Sequence, residues 1–242
     1  MLSGCCSRTA PQDTQMTAPF DSRNLFLEGP VGQLEAIFWS PATASNPAAA
    51  SAAPLVAPRY ATVVCHPHPL FGGTLHNKVV YQTAKSLRAL GFPVLRFNFR
   101  GAGLSKGVHD RGHGETGDVR AALDFLSDKF PSTELLLAGF SFGSWVGLRV
   151  GCQDARVARL IGLGIPVDNS DFSFIEQCAK PKLFVHGERD EHGAVAKVRE
   201  LVASWPGENR LVVVPGADHF FTGKLDQLDC AITDWLAPMQ PL

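Results

Sequence analysis

Between residues 60 and 215 the chain alternates short, uninterrupted apolar runs with longer stretches in which apolar side chains recur at helical spacing. The runs at 60–66, 94–99, 134–140, 157–167, 182–187 and 210–215 predict buried strands. The stretches at 77–90, 118–130, 143–152, 193–204 and 223–236 predict helices, with Gly91 and Pro131 closing the first two. Strands that alternate with helices imply βαβ units and a mostly parallel sheet with helices on both faces. Ahead of this series, residues 24–28 and 33–40 flank Gly-Pro-Val-Gly and predict an antiparallel hairpin at the start of the sheet. Residues 40–59 are dominated by Ala, Pro and Ser without any period, which predicts a surface loop.

The length of 242 residues then suits one domain over 21–242, preceded by a tail or start-site artefact at 1–20, since Met16 opens a more ordinary sequence. Lys and Arg number 22 against 23 Asp and Glu, a net charge of −1 that argues against nucleic acid and anionic membranes as partners. No apolar run approaches the roughly 20 residues of a membrane span. Leu2-Ser3-Gly4-Cys5 resembles a lipoprotein cleavage box, but only Met1 precedes it; the expected location is cytoplasmic, with a lipid-anchored or secreted protein only if the true start lies upstream. Cys5 and Cys6 fall in the tail, and Cys65, Cys152, Cys178 and Cys230 are scattered singly, which predicts reduced, buried thiols. Nothing in the chain specifies an oligomeric state.

In parallel sheets ligands bind beyond the carboxyl ends of the strands, so chemistry is sought there. The pattern G-x-S-x-G occurs at Gly139–Gly143 and at Gly103–Gly107. Only Ser141 has a strand running straight into the turn and a helix leaving it, the context that presents a strained nucleophile. Ser105 lies in a glycine-rich loop and reads as a turn residue. A serine hydroxyl needs a base and an acid that orients the base. His219 follows the last strand and Asp190 follows the strand before it, which gives the order nucleophile, acid, base. Asp218 is adjacent to His219 and reads as a loop cap; His186, within a strand, reads as structural; His76, His109, His113 and His192 carry no particular signal.

For an oxyanion hole, one amide is expected from Phe142 and a second from the loop after residue 66, where Pro67 and Pro69 have no N–H. His68 is the expected donor, with Leu70 as the alternative. His66-x-His68 as a metal pair is set aside because no further ligand cluster follows it, so no metal and no cofactor are expected. Phe71, Phe142, Trp145, Phe172, Phe174 and Phe220 lie near the expected site; of these Phe71, Trp145, Phe172 and Phe220 are the candidate pocket lining, although core packing is the better account of most of the six.

Cys65-His-Pro-His-Pro-Leu-Phe-Gly-Gly-Thr74, Arg96-Phe-Asn-Phe-Arg-Gly-Ala-Gly-Leu-Ser105, Gly139-Phe-Ser-Phe-Gly143, His186-Gly-Glu-Arg-Asp190 and Gly216-Ala-Asp-His-Phe-Phe221 stand in this order. Together they resemble the α/β-hydrolase-fold serine hydrolases, in particular small lidless bacterial esterase-like enzymes that carry the His-Pro-His-Pro-Leu-Phe-Gly-Gly motif. The resemblance implies Ser141 as nucleophile, Asp190 as acid and His219 as base in a carboxylic ester hydrolase acting on small-molecule esters. A thioesterase or small-amide hydrolase would use the same residues, and a non-catalytic binding module on the scaffold is the alternative of a different class. Serine at the elbow disfavours dehalogenase, epoxide hydrolase and dienelactone hydrolase chemistry. Only 14 residues separate the predicted strands that end at Val167 and start at Lys182, too few for a helical lid.

Overall fold

The computed structural model describes residues 21–40 and 58–237. The proposed tail at 1–20 and nearly all of the Ala/Pro-rich 40–59 loop, with Cys5 and Cys6, lie outside the described residues. The chain order is β1 (Asp21–Gly29), β2 (Gly32–Ser40), β3 (Tyr60–Cys65), α1 (Lys78–Ala89), β4 (Val94–Phe97), α2 (Glu115–Lys129), β5 (Glu134–Phe140), α3 (Phe142–Gln153), β6 (Val157–Leu163), β7 (Lys182–Gly187), α4 (Val195–Ser204), β8 (Asn209–Val214) and α5 (Leu225–Leu236). Short 3-10 turns cover Pro69–Phe71 and Ser173–Gln177.

The eight strands form one sheet in the order β1-β2-β4-β3-β5-β6-β7-β8. The β1–β2 hairpin is antiparallel, β2 pairs antiparallel with β4, and every other pairing is parallel. The continuous apolar runs follow from burial on both faces. Along β5, Leu135 and Leu137 point into one apolar cluster while Leu136, Ala138 and Phe140 point into the other. The first cluster gathers side chains of α2, α3 and α4; the second gathers those of α1 and α5. The mostly parallel, doubly covered sheet expected from the alternation is therefore present, with the hairpin edge, and it is the α/β-hydrolase architecture that the resemblance implies.

Two expectations shift. The run at 157–167 is a strand only to Leu163, because the chain turns where Val167 N–H donates to Ile165 O. Residues 164–181 thus connect β6 to β7, and the regular structure within them is the five-residue 3-10 turn. Cys152 and Cys178 are disulfide-bonded with Cα atoms 5.3 Å apart, so they are not the isolated reduced thiols their spacing predicts. The end of α3 and the end of the 3-10 turn meet in space, which sequence separation does not reveal. Cys65 is a buried thiol whose pKa burial pushes up. No helix among the described residues is long and apolar enough to cross a membrane.

Candidate active site

β5 runs directly into Ser141, which takes φ +55° and ψ −123° before α3 begins. A serine rarely adopts this conformation, and the surroundings enforce it. Ser141 N–H donates to Leu163 O at 2.9 Å, and its carbonyl accepts from Ser144 N–H and the Ser144 hydroxyl. The flanking glycines permit the close approach: a Cβ on Gly139 would lie 2.3 Å from Gly143 O, and one on Gly143 would lie 2.4 Å from His66 O. The start of α3 is thereby pressed onto the loop that follows β3.

Ser141 Oγ lies 2.9 Å from His219 Nε2, and His219 Nδ1 lies 2.8 and 2.9 Å from the two oxygens of Asp190. Because a carboxylate only accepts, Nδ1 carries the proton and Nε2 is the acceptor facing the hydroxyl. His219 and Asp190 are buried. Asp190 also accepts from His192 N–H at 2.9 Å. His186 is buried 3.6 Å beneath Asp190; its Nε2–H donates to Gly193 O at 2.7 Å, and burial depresses its pKa, so it stays neutral. Asp218 accepts from Thr222 N–H at 2.8 Å, the loop-capping position expected of it.

The amides of Phe142 and His68 have no acceptor among the described residues. Leu70 differs: its N–H donates to His68 Nδ1 at 3.2 Å and its side chain is 70% exposed, so the alternative donor is already committed. His66 uses both ring nitrogens. Phe99 N–H donates to Nε2 at 2.9 Å and Nδ1–H donates to Pro67 O at 2.6 Å, and burial lowers its pKa to about 4. No lone pair is left for a metal, and no cluster of three potential ligands occurs among the described residues. The other G-x-S-x-G serine, Ser105, is spent in its loop, donating to Asn98 O at 2.7 Å and accepting from Glu35 N–H at 2.9 Å.

Ser141 opens into a cavity of about 570 Å³ lined by aromatic side chains, Phe71, Phe142 and Trp145, and by His68, His109, Arg111, Pro166, Asn169, Ser170 and His192. Two candidate lining residues are elsewhere. Phe172 is buried with its ring against Phe174 and Trp205, and Phe220 packs its ring against Phe140 and His219 without lining the cavity. Phe174 likewise belongs to the packing beside the core. Sequence reasoning passes over His109, Arg111, Asn169, Ser170 and His192. His109 and Arg111 belong to the loop after β4, and carboxyl-end loops of a parallel sheet are where such residues are to be sought.

A family model described as the alpha/beta hydrolase fold matches residues 63–180. An uncharacterized protein of Rickettsia prowazekii is 34% identical over 225 residues, 89% of each chain. A solved serine hydrolase without a lid from Xanthomonas campestris is 35% identical, with a TM-score of 0.80 over 93% of this chain and 97% of its own. A serine hydrolase homologue from Coxiella burnetii is 36% identical, with a TM-score of 0.79 over 88% and 97%. With fold, elbow and sequence in agreement over nine-tenths of the chain, this protein belongs to the α/β-hydrolase-fold serine hydrolases.

Proposed function

We propose that the protein hydrolyses small carboxylic esters through an acyl-enzyme. The observation that carries this reading is the 2.9 Å contact of Ser141 Oγ with His219 Nε2 while Nδ1 is anchored on Asp190. Ser141 Oγ attacks the ester carbonyl carbon as its proton passes to His219 Nε2, and the carbonyl π pair moves onto oxygen. That oxyanion accepts from the Phe142 amide at the start of α3 and the His68 amide in the loop after β3, each donor contributing about 3–4 kcal/mol. The imidazolium returns its proton to the departing alcohol as the ester C–O bond breaks. Water, deprotonated by the same imidazole, then attacks the acyl-serine, and Ser141 leaves with the proton.

The route calls on no cofactor and only a small-molecule partner. Residues 164–181 supply no helical cover among the described residues, which suits small, accessible esters. Thioesters and small amides would engage the same groups, and a panel across ester chain lengths with thioesters included separates them. A cytoplasmic location remains our reading; the Cys152–Cys178 bridge weighs against it, since reducing compartments rarely preserve disulfides.

The test is fluorophosphonate labelling together with hydrolysis of short p-nitrophenyl esters. Both should occur in the wild type and vanish in Ser141→Ala. Labelling and turnover that persist in Ser141→Ala overturn the assignment.

A further inference from the structure

The cavity in front of Ser141 carries bases and no acid: His68, His109, Arg111 and His192 line it, and no Asp or Glu does. Arg111 is the one permanently charged group among these, exposed, and paired with no carboxylate among the described residues. The nearby acids each have partners other than Arg111. Asp110 Oδ2 accepts from Gly114 N–H at 3.0 Å. Glu115, fully buried, accepts from Asp110 N–H and Gly112 N–H and lies 2.8 Å from His109 Nδ1. Asp168 pairs with Lys197, Asp171 accepts from Ser173, Asp190 holds His219, and Glu191 lies 3.9 Å from His192.

The loop that presents Arg111 is built, not loose. Glu115 ties its backbone from within, and Gly112 (φ +88°) lies so close to Trp145 that a Cβ there would meet the ring at 2.2 Å. Arg111 itself is held at φ +53°, a region uncommon for arginine.

We infer that Arg111 is a substrate-binding cation that selects esters bearing a second, ionised carboxylate, with the aromatic wall of Phe71, Phe142 and Trp145 taking the apolar spacer. This inference rests on the ester-hydrolase reading. A unit charge about 4 Å from the exposed Arg111 gains on the order of 1 kcal/mol, which corresponds to about fivefold in kcat/KM.

The experiment measures kcat/KM by acid release for two matched pairs: monoethyl adipate against ethyl hexanoate, which places the anion on the acyl side, and 4-acetoxybutanoate against butyl acetate, which places it on the alcohol side. The anionic member of at least one pair should be favoured about fivefold, and the favoured pair identifies the side. Added salt should shrink that ratio. Arg111→Asn, a residue suited to positive φ, should bring it to about one, and Arg111→Lys should retain part of it. A wild-type ratio at or below one in both pairs, or a ratio unchanged in Arg111→Asn, overturns the inference while Ser141-dependent turnover of the neutral esters leaves the hydrolase reading standing. Absence of Ser141-dependent turnover of every ester overturns both.

Discussion

The rings of His192 and His219 meet edge to face, with centroids 4.5 Å apart and planes at 79°. The same residue's backbone N–H donates to Asp190, so one turn packs the imidazole and fixes the carboxylate that orients it. Removing the ring in His192→Ala keeps the backbone bond and frees one side of His219. Since such edge contacts are worth about 0.5–1.5 kcal/mol, kcat should fall roughly three- to tenfold with little change in KM, and His192→Phe should recover most of it. Steady-state kinetics on a short ester check this; an unchanged kcat in His192→Ala would show that packing on His219 is not limiting.

Asp190→Asn should be far more severe. The Asn Oδ1 would stay on His192 N–H, which turns the Nδ2 donor toward His219 and leaves Nδ1 to accept. The proton then resides on Nε2, which can no longer take one from Ser141. A loss of about 10⁴-fold in kcat is the order known for this change in Ser-His-Asp hydrolases. Fluorophosphonate labelling rates give a second measure of the same loss.

Stability should decline on mild acidification because of His66. Its folded pKa is lowered to about 4 from the ordinary 6.5, since burial and the bond from Phe99 N–H favour the neutral ring. Above about pH 6.5 both folded and unfolded chains carry it neutral, and the contribution is fully present. As pH falls toward 4 the unfolded chain takes up a proton that the folded chain refuses, and about 3 kcal/mol is lost by the end of that window. Urea midpoints measured from pH 7.5 to 4 should follow this fall, and His66→Asn should be less stable at neutral pH with a flatter profile. A pH dependence equal to that of the wild type in His66→Asn would assign the loss to other groups.

The Cys152–Cys178 bridge closes a loop with a sequence separation of 26, for which chain entropy gives about 3.5 kcal/mol. Dithiothreitol or the Cys152→Ser, Cys178→Ser double variant should lower the thermal midpoint by several degrees. Because Pro166, Asn169 and Ser170 of the cavity wall lie within that loop, KM should rise more than kcat falls. A thermal midpoint indifferent to reductant would contradict this.

The strands and helices were legible because a sheet buried on both faces leaves runs such as Leu135–Ala138 with no polar interruption. The elbow was legible for a related reason: only glycine fits at Gly143, where the helix start touches His66 O, so the motif is written in the backbone. Cavity walls are different. Whether Phe172 faces the substrate or Trp205 depends on how residues 164–181 turn, and no residue type announces that. Arg111 escaped notice because its placement depends on a left-handed backbone, on Gly112 against Trp145 and on the buried Glu115 behind it. The disulfide was invisible because neither Cys152 nor Cys178 reveals the 5.3 Å between their Cα atoms.

His109, Arg111, Asn169 and Ser170 face the cavity from two surface loops and belong to neither apolar cluster. Replacing Arg111, Asn169 or Ser170 alters what the cavity admits at little cost to folding, whereas His109 is tied to the buried Glu115, and Ser141, Asp190 and His219 sit on turns anchored to the sheet. The walls that would choose a substrate and the frame that holds Ser141 against His219 are therefore separate parts of the chain.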